Sequence, residues 1–274
     1  MKAGQGGSGG DLGCLLVEVY RKGQINVESE TRGRLLSVLR AFPPHEPTKK
    51  KFVDAIIQWS MEHGEYPNGD PELHHAAGTT FADEHEAYEA ERHLALGTKD
   101  SPEQLAKLEY TWYTQDDLHT AAMYAARAVF PYLLTGNLRS ANKAYLMFTT
   151  RLSNLNPSLG VQEVSNTSAG IRVYPILPLL NFLGLLLLAI ERGTPTLFRQ
   201  LAKHYAVHIK EVGIWDDALA QIGEQWFGIP IPRQGNPLFD MMGSMMGFGG
   251  SPRASPKPTA KKPEVAPPPA EGLD

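Results

Sequence analysis

Residues 175–190, PILPLLNFLGLLLLAI, carry no charge and lie between Arg172 and the pair Glu191-Arg192. A helix that is apolar on every side is either a membrane span or the centre of a protein core. Crossing a bilayer takes roughly 20 such residues. This run is shorter, and Pro178, Asn181 and Gly184 interrupt it. Amphipathic segments precede and follow it. The stretch therefore reads as a central helix clasped by its neighbours, and the chain as a helical scaffold rather than a membrane-anchored factor.

The bulk composition agrees. Of 274 residues, 20% are charged and 42% hydrophobic, the balance of a globular protein with a sizeable core. A formal net charge of −4 offers no global basic field for nucleic acid or an anionic membrane. The single cysteine, Cys14, excludes an internal disulfide and a multi-cysteine metal site. Its place in the apolar stretch 12–20 reads as a buried, inert thiol, and a reducing compartment fits. The start, MKAGQGGSGG, lacks the apolar core of a signal peptide and reads as a disordered segment, 1–10. It runs abruptly into a helix without the polar-faced unit that should cap an array, so the start looks cut.

Outward from residue 175 the pattern is helix after helix. Upstream, helical spacing marks 11–22 (opened by an Asp11 cap), 29–42, 48–62, 71–81, 84–96, 102–114, 117–134 and 138–152. Downstream it marks 196–212, 215–227 and a methionine-rich piece, 237–246. Residues 161–174, VQEVSNTSAGIRVY, break the pattern by alternating on both sides of a Ser/Asn/Gly turn, which reads as a β-hairpin. An isolated hairpin is marginal in water, so this one must lean on the helices or on a partner chain. The proline-, lysine- and alanine-rich residues 249–274 read as a disordered tail.

Two helix pairs resemble each other. Phe81 followed by AYEAERHLAL, and Tyr132-Leu133 followed by TGNLRSANKAYLMF, share the small-residue and aromatic spacing of tetratricopeptide-like pairs. Ala90 and Ala141 stand where helices must approach closely. A strict period is absent, yet each pair leaves an apolar face that only the next pair can cover. The expected fold is all-α, a right-handed tetratricopeptide-like solenoid over 11–248 with one inserted hairpin. Its N-terminal half is 11–153 and its C-terminal half 154–248.

Catalytic chemistry is hard to find. Among nine histidines, His204 and His208 sit at i,i+4 on the expected helix 196–212, but Tyr-Ala-Val between them supplies no glutamate base. His74 and His75 point to different faces and cannot chelate together. The acidic run Asp83, Glu84, Glu86, Glu89 and Glu91 reads as a solvated helix face, and Lys49-Lys50-Lys51 as surface lysines. No GxxxxGK[ST] or CxxC is present. The chain reads as a non-enzyme without metal or cofactor. Surfaces for partners remain: the hairpin, the apolar helix, and the methionine-rich stretch, which can adapt to a partner.

The runs LLVEVY, FPPHEP with FVDAIIQWS, PLLNFLGLLLLAIERG, LFRQLAKHY and IGEQWFGIP resemble those of the Golgi-to-ER traffic protein four family, over about residues 11–247. The mammalian counterpart is the 35-kilodalton subunit of the transmembrane-domain recognition complex, and the hairpin is similar to that of fungal members. The resemblance implies a cytosolic α-solenoid that handles tail-anchored membrane proteins before their insertion into the ER. Its C-terminal half would grip the N-terminal segment of a ubiquitin-like adaptor, and its N-terminal half would dock on a dimeric targeting ATPase. No nucleic acid and no direct membrane insertion are implied.

Carried over by residue, Val161, Val164, Ile171 and Val173 match the adaptor-gripping hairpin, and Trp226, Phe227, Phe239 and Met242 its other wall. Asp11 and Glu18, two helical turns apart, match the acidic helix turned toward the ATPase. Family members begin with further helices carrying the main ATPase anchor, and this chain lacks them, so weakened ATPase binding is expected. The alternative is a generic tetratricopeptide-like scaffold of a larger complex, such as a proteasome-lid or signalosome relative. Those usually end in a winged-helix unit, not in a methionine-rich stretch and a proline-rich tail.

Overall fold

The computed structural model describes residues 6–164 and 171–231, all within one unit spanning residues 1–231. Helices α1 (Gly6–Lys22), α2 (Ser29–Arg40), α3 (Thr48–His63), α4 (Pro71–Asp83), α5 (Ala87–Leu94), α6 (Ser101–Tyr113), α7 (Ala121–Leu134) and α8 (Leu138–Leu155) come first. Two antiparallel strands follow, β1 (Gln162–Val164) and β2 (Ile171–Val173). The chain then continues through α9 (Pro178–Arg192), α10 (Pro195–His204), α11 (Ala206–Val212) and α12 (Asp216–Phe227). Successive helices pack on their neighbours, α4 on α5, α6 on α8, α7 on α8, α9 on α10, in the solenoid-like manner of tetratricopeptide folds with one small hairpin inserted. Ala90 and Ala141 are fully buried at those approaches.

The apolar stretch forms α9 and lies at the centre of the C-terminal half, against α7, α8 and α10. Leu180, Phe182, Leu183 and Leu186 are fully buried. Each such side chain contributes about 1.5–3 kcal/mol of burial free energy, which is why this helix organises its neighbours. Its three interrupting residues each have a task. Pro178 opens the first turn, where a missing N–H costs nothing. Asn181 clamps the chain leaving the hairpin, accepting from Tyr174 N (2.7 Å) and donating to Tyr174 O (2.9 Å). Gly184 leaves room for Tyr145, whose hydroxyl would stand 2.7 Å from a Cβ there. Among the described residues no helix is long and apolar enough to cross a membrane.

A recurring device ties one helical layer to the next. Trp59 Nε1 donates to Ile25 O (3.0 Å), Tyr132 Oη to Leu94 O (2.9 Å) and Trp226 Nε1 to Leu133 O (2.9 Å). All three acceptors lie at or just past the C-terminal end of a helix, where carbonyls lack intrahelical partners. An aromatic side chain thus fills the core and satisfies a helix end together.

Four expectations are corrected. Helix α1 begins at Gly6, so residues 6–10 are helical and Asp11 lies inside the helix instead of capping it. The cause is close packing on α3, since a Cβ on Gly10 would stand 2.0 Å from Thr48 Oγ1. Glycine's poor helix propensity is overridden by that approach. The segment 196–212 splits at Tyr205, whose ring packs on Phe182 with centroids 5.6 Å apart. His204 and His208 therefore belong to different helices. The acidic run and the three lysines are solvated only in part: Asp83, Glu86, Lys50 and Lys51 are exposed, but the other members are drawn into ion pairs. Lys49, only 2% exposed, pairs with Glu84, Lys50 pairs with Glu89, and Arg127 joins Glu91 to the buried Glu109. The chain's charges staple α3, α5, α6 and α7 together. As expected, Cys14 is buried, and burial raises its thiol pKa.

Candidate functional site

The hairpin is short but firmly rooted. Its register pairs Gln162 with Val173, Glu163 with Arg172 and Val164 with Ile171. Arg172 reaches α8 through Nη1 to Thr150 Oγ1 (3.0 Å), with Glu163 Oε1 3.5 Å from its Nε. Tyr174, fully buried, shares a hydroxyl contact with Ser153 of α8 (3.2 Å). Together with the Asn181 clamp, these bonds fix both strands between α8 and α9. Their outer edges carry no further strand among the described residues.

The pleat separates the expected hairpin contacts. Val161 is half-buried against the core and lies on the side shared with Glu163 and Arg172. Val173, one residue beyond Arg172, turns to the opposite side and is half-exposed. Val164 and Ile171 are placed here only by their backbone pairing.

The other expected wall is used differently. Trp226 is tied to α7 by its bond to Leu133, and Phe227 stacks on Phe198 of α10 with centroids 4.7 Å apart. Both residues serve packing within the solenoid, and these contacts do not lead to the hairpin. Phe239 and Met242, like the rest of 237–246, lie outside the described residues.

Beside the hairpin root lies an apolar groove of about 370 Å³, formed by the turn before α9, the start of α7 and α11. Ile176 stands 56% exposed at its edge. Sequence reasoning missed this groove because its walls come from three distant segments. Its only local signal is Ile176, an isoleucine between prolines just after a strand. His119, His208 and Glu211 also reach the groove. Among the described residues no group of three or more His, Cys, Asp or Glu is placed to hold a metal ion.

At the other end, α1 turns Asp11 and Glu18 outward, at 68% and 60% side-chain exposure. Each has only a long contact with a lysine: Lys51 at 4.0 Å and Lys22 at 3.9 Å. Beside them Leu12, Leu15 and Val19 form an exposed apolar stripe.

The sequence profile described as Golgi to ER traffic protein 4 matches residues 1–246. Golgi to ER traffic protein 4 of Aspergillus fumigatus is 57% identical over 280 aligned positions, covering 97% of this chain and 81% of that protein. The Schizosaccharomyces pombe protein of the same name is 32% identical, covering 92% of this chain and 80% of its own. A solved structure described as C. therm. Get4 superposes with a TM-score of 0.83 at 53% identity, covering 94% of this chain and 82% of that one. With most of its length matched in sequence and in fold, the chain belongs to the Golgi to ER traffic protein 4 family.

Proposed function

We propose that this chain is a cytosolic scaffold for the post-translational targeting of tail-anchored membrane proteins to the ER, bridging a ubiquitin-like adaptor to the targeting ATPase. Family membership supports the pathway, and the rooted hairpin is the observation that carries the bridging role. A two-stranded sheet held on α8 and α9 by the Tyr174–Asn181 clamp presents pre-ordered edges, so a partner segment meets little ordering cost. The adaptor's N-terminal segment lies along the hairpin at Val164, Ile171 and Val173 and enters the groove beside Ile176. Val161 holds this platform from beneath. The ATPase meets α1, where Asp11 and Glu18 pair with basic side chains and Leu12, Leu15 and Val19 are covered. The chain itself performs no catalysis and needs no cofactor.

Co-purification tests the reading. The chain is expressed with the adaptor's N-terminal segment and, separately, with the targeting ATPase from the same cells. The adaptor segment should co-purify in stoichiometric amount, and the ATPase should be retained weakly at most, with a strong dependence on salt. A folded chain that retains no adaptor segment contradicts the proposal.

A further inference from the structure

Two tryptophans stand apart from the stapling device. Trp112 on α6 and Trp215 just before α12 have no acceptor for their indole N–H among the described residues, whereas Trp59 and Trp226 do. Neither N–H belongs to the fully enclosed unpaired atoms, and the two residues line a groove of about 490 Å³, Trp112 half-exposed and Trp215 buried as part of its floor. This groove runs between α5, α6, α7 and the approach to α12, on elements other than the hairpin. Tyr88 and Ile214 stand 71% and 69% exposed beside it. Its floor is an aromatic array: Trp112 meets Tyr88 edge-on at 5.8 Å and Tyr124 at 6.3 Å, and Trp215 meets Phe130 at 5.3 Å.

The charges select the occupant. Arg127 lies under the rings, 4.9 Å from Trp112 and 5.2 Å from Tyr88, but it is already committed to Glu91 and Glu109. It offers no free charge to an anion. Asp116 at the rim is exposed and accepts from the Tyr124 hydroxyl (3.1 Å) and from the backbone N–H of Asp117 (2.8 Å). These bonds lower its pKa, which keeps it ionised. The available charge is therefore negative. The available donor is the indole N–H of Trp112, which seeks a carbonyl. A helix has its carbonyls bonded internally, whereas a polyproline II segment leaves every carbonyl free and presents flat rings that fit between aromatic side chains.

We propose that this groove binds an extended, proline-rich segment of a partner protein that carries a basic residue beside its prolines. The prolines stack against Trp112, Tyr88 and Tyr124, the indole N–H of Trp112 donates to one of the segment's carbonyls, and the basic residue meets Asp116.

The test is fluorescence anisotropy with the full chain and a labelled oligoproline peptide bearing one arginine at each end. The control is a glycine-serine peptide of the same length with the same arginines. The oligoproline should bind and the control should not. Trp112→Phe, which keeps the ring and removes the N–H, should weaken binding about fivefold, the worth of one net hydrogen bond. Asp116→Asn should weaken it about threefold and reduce its salt dependence. Both side chains lie at the surface, and circular dichroism confirms that the variants keep their helices. Absence of binding to the oligoproline overturns the proposal. So does equal binding of the two peptides, or an affinity that neither variant changes.

Discussion

The Nδ1 atoms of His74 on α4 and His93 on α5 lie 3.0 Å apart in the core, in hydrogen-bond contact. His74 Nε2 is 2.9 Å from Asn68 O, and a carbonyl can only accept, so this nitrogen carries the proton. His74 Nδ1 is then the acceptor and His93 Nδ1–H the donor. His93 Nε2 is left bare and buried, without a partner among the described residues. Both rings are neutral, and a proton added to either would have no acceptor. Burial and the neighbouring His74 push His93 down to about 4, and burial lowers His74.

Acid should therefore loosen the α4–α5 pair before the carboxylates titrate. The unfolded chain takes up protons below about pH 6.5, while folded His93 resists until about pH 4. Stability is lost across that window, by roughly 3 kcal/mol in all. Glu109 acts in the opposite sense: burial and the adjacent Glu91 raise its pKa, so its contribution falls as pH rises above the usual carboxylate range. Urea unfolding of wild type and His93→Leu at several values between pH 7.5 and 5 separates the two. The variant should lose the acid slope, and an unchanged slope would remove the histidine pair as its cause.

Glu84 should matter more than an exposed carboxylate does. Its partner Lys49 is 2% exposed, so Glu84→Gln leaves a buried ammonium without a counter-charge. Such a change costs about 3–5 kcal/mol. A fall in Tm of roughly 6–20 °C is expected by calorimetry for a domain of this size. The exposed pair Arg34–Glu30 provides the contrast, and Glu30→Gln should leave Tm within about 2 °C.

Asn181→Leu should uncouple the hairpin while sparing the helices. The isosteric side chain keeps the apolar character of α9 but removes both bonds to Tyr174, leaving its N–H without a partner while its C=O keeps the Leu177 N–H. Such an unsatisfied group costs about 1–3 kcal/mol. Hydrogen exchange should quicken at residues 162–164 and 171–174 with α4 to α7 unaffected. Protection that stays the same at the hairpin would show the clamp to be dispensable.

The architecture was legible where its cause is local. Residues 175–190 announce a buried helix through their own composition, and Pro178, Asn181 and Gly184 mark it as too interrupted for a bilayer. The alternation of 161–174 gives the hairpin, although Tyr174 turned out to anchor it. What stayed hidden depends on distant neighbours. Lys49 and Glu84 look like ordinary surface charges until the fold brings them together. Trp226 and Phe227 match a partner-facing wall by resemblance, and nothing along the chain shows that they also tie α12 to α7 and α10. His204 and His208 keep helical spacing through Tyr205, whose contact with Phe182 accompanies the break and cannot be seen along the chain. The grooves are assembled from separate segments, so no single motif betrays them.

The central claim is that the hairpin grips the adaptor. It is tested most directly by calorimetric titration of the adaptor's N-terminal segment into wild type, Val164→Asp and Ile171→Asp, with helicity followed by circular dichroism. A charge forced into a desolvated contact costs several kcal/mol, so each variant should bind at least about a hundredfold more weakly at unchanged helicity. Wild-type affinity in both variants would contradict the account and remove the hairpin from the interface.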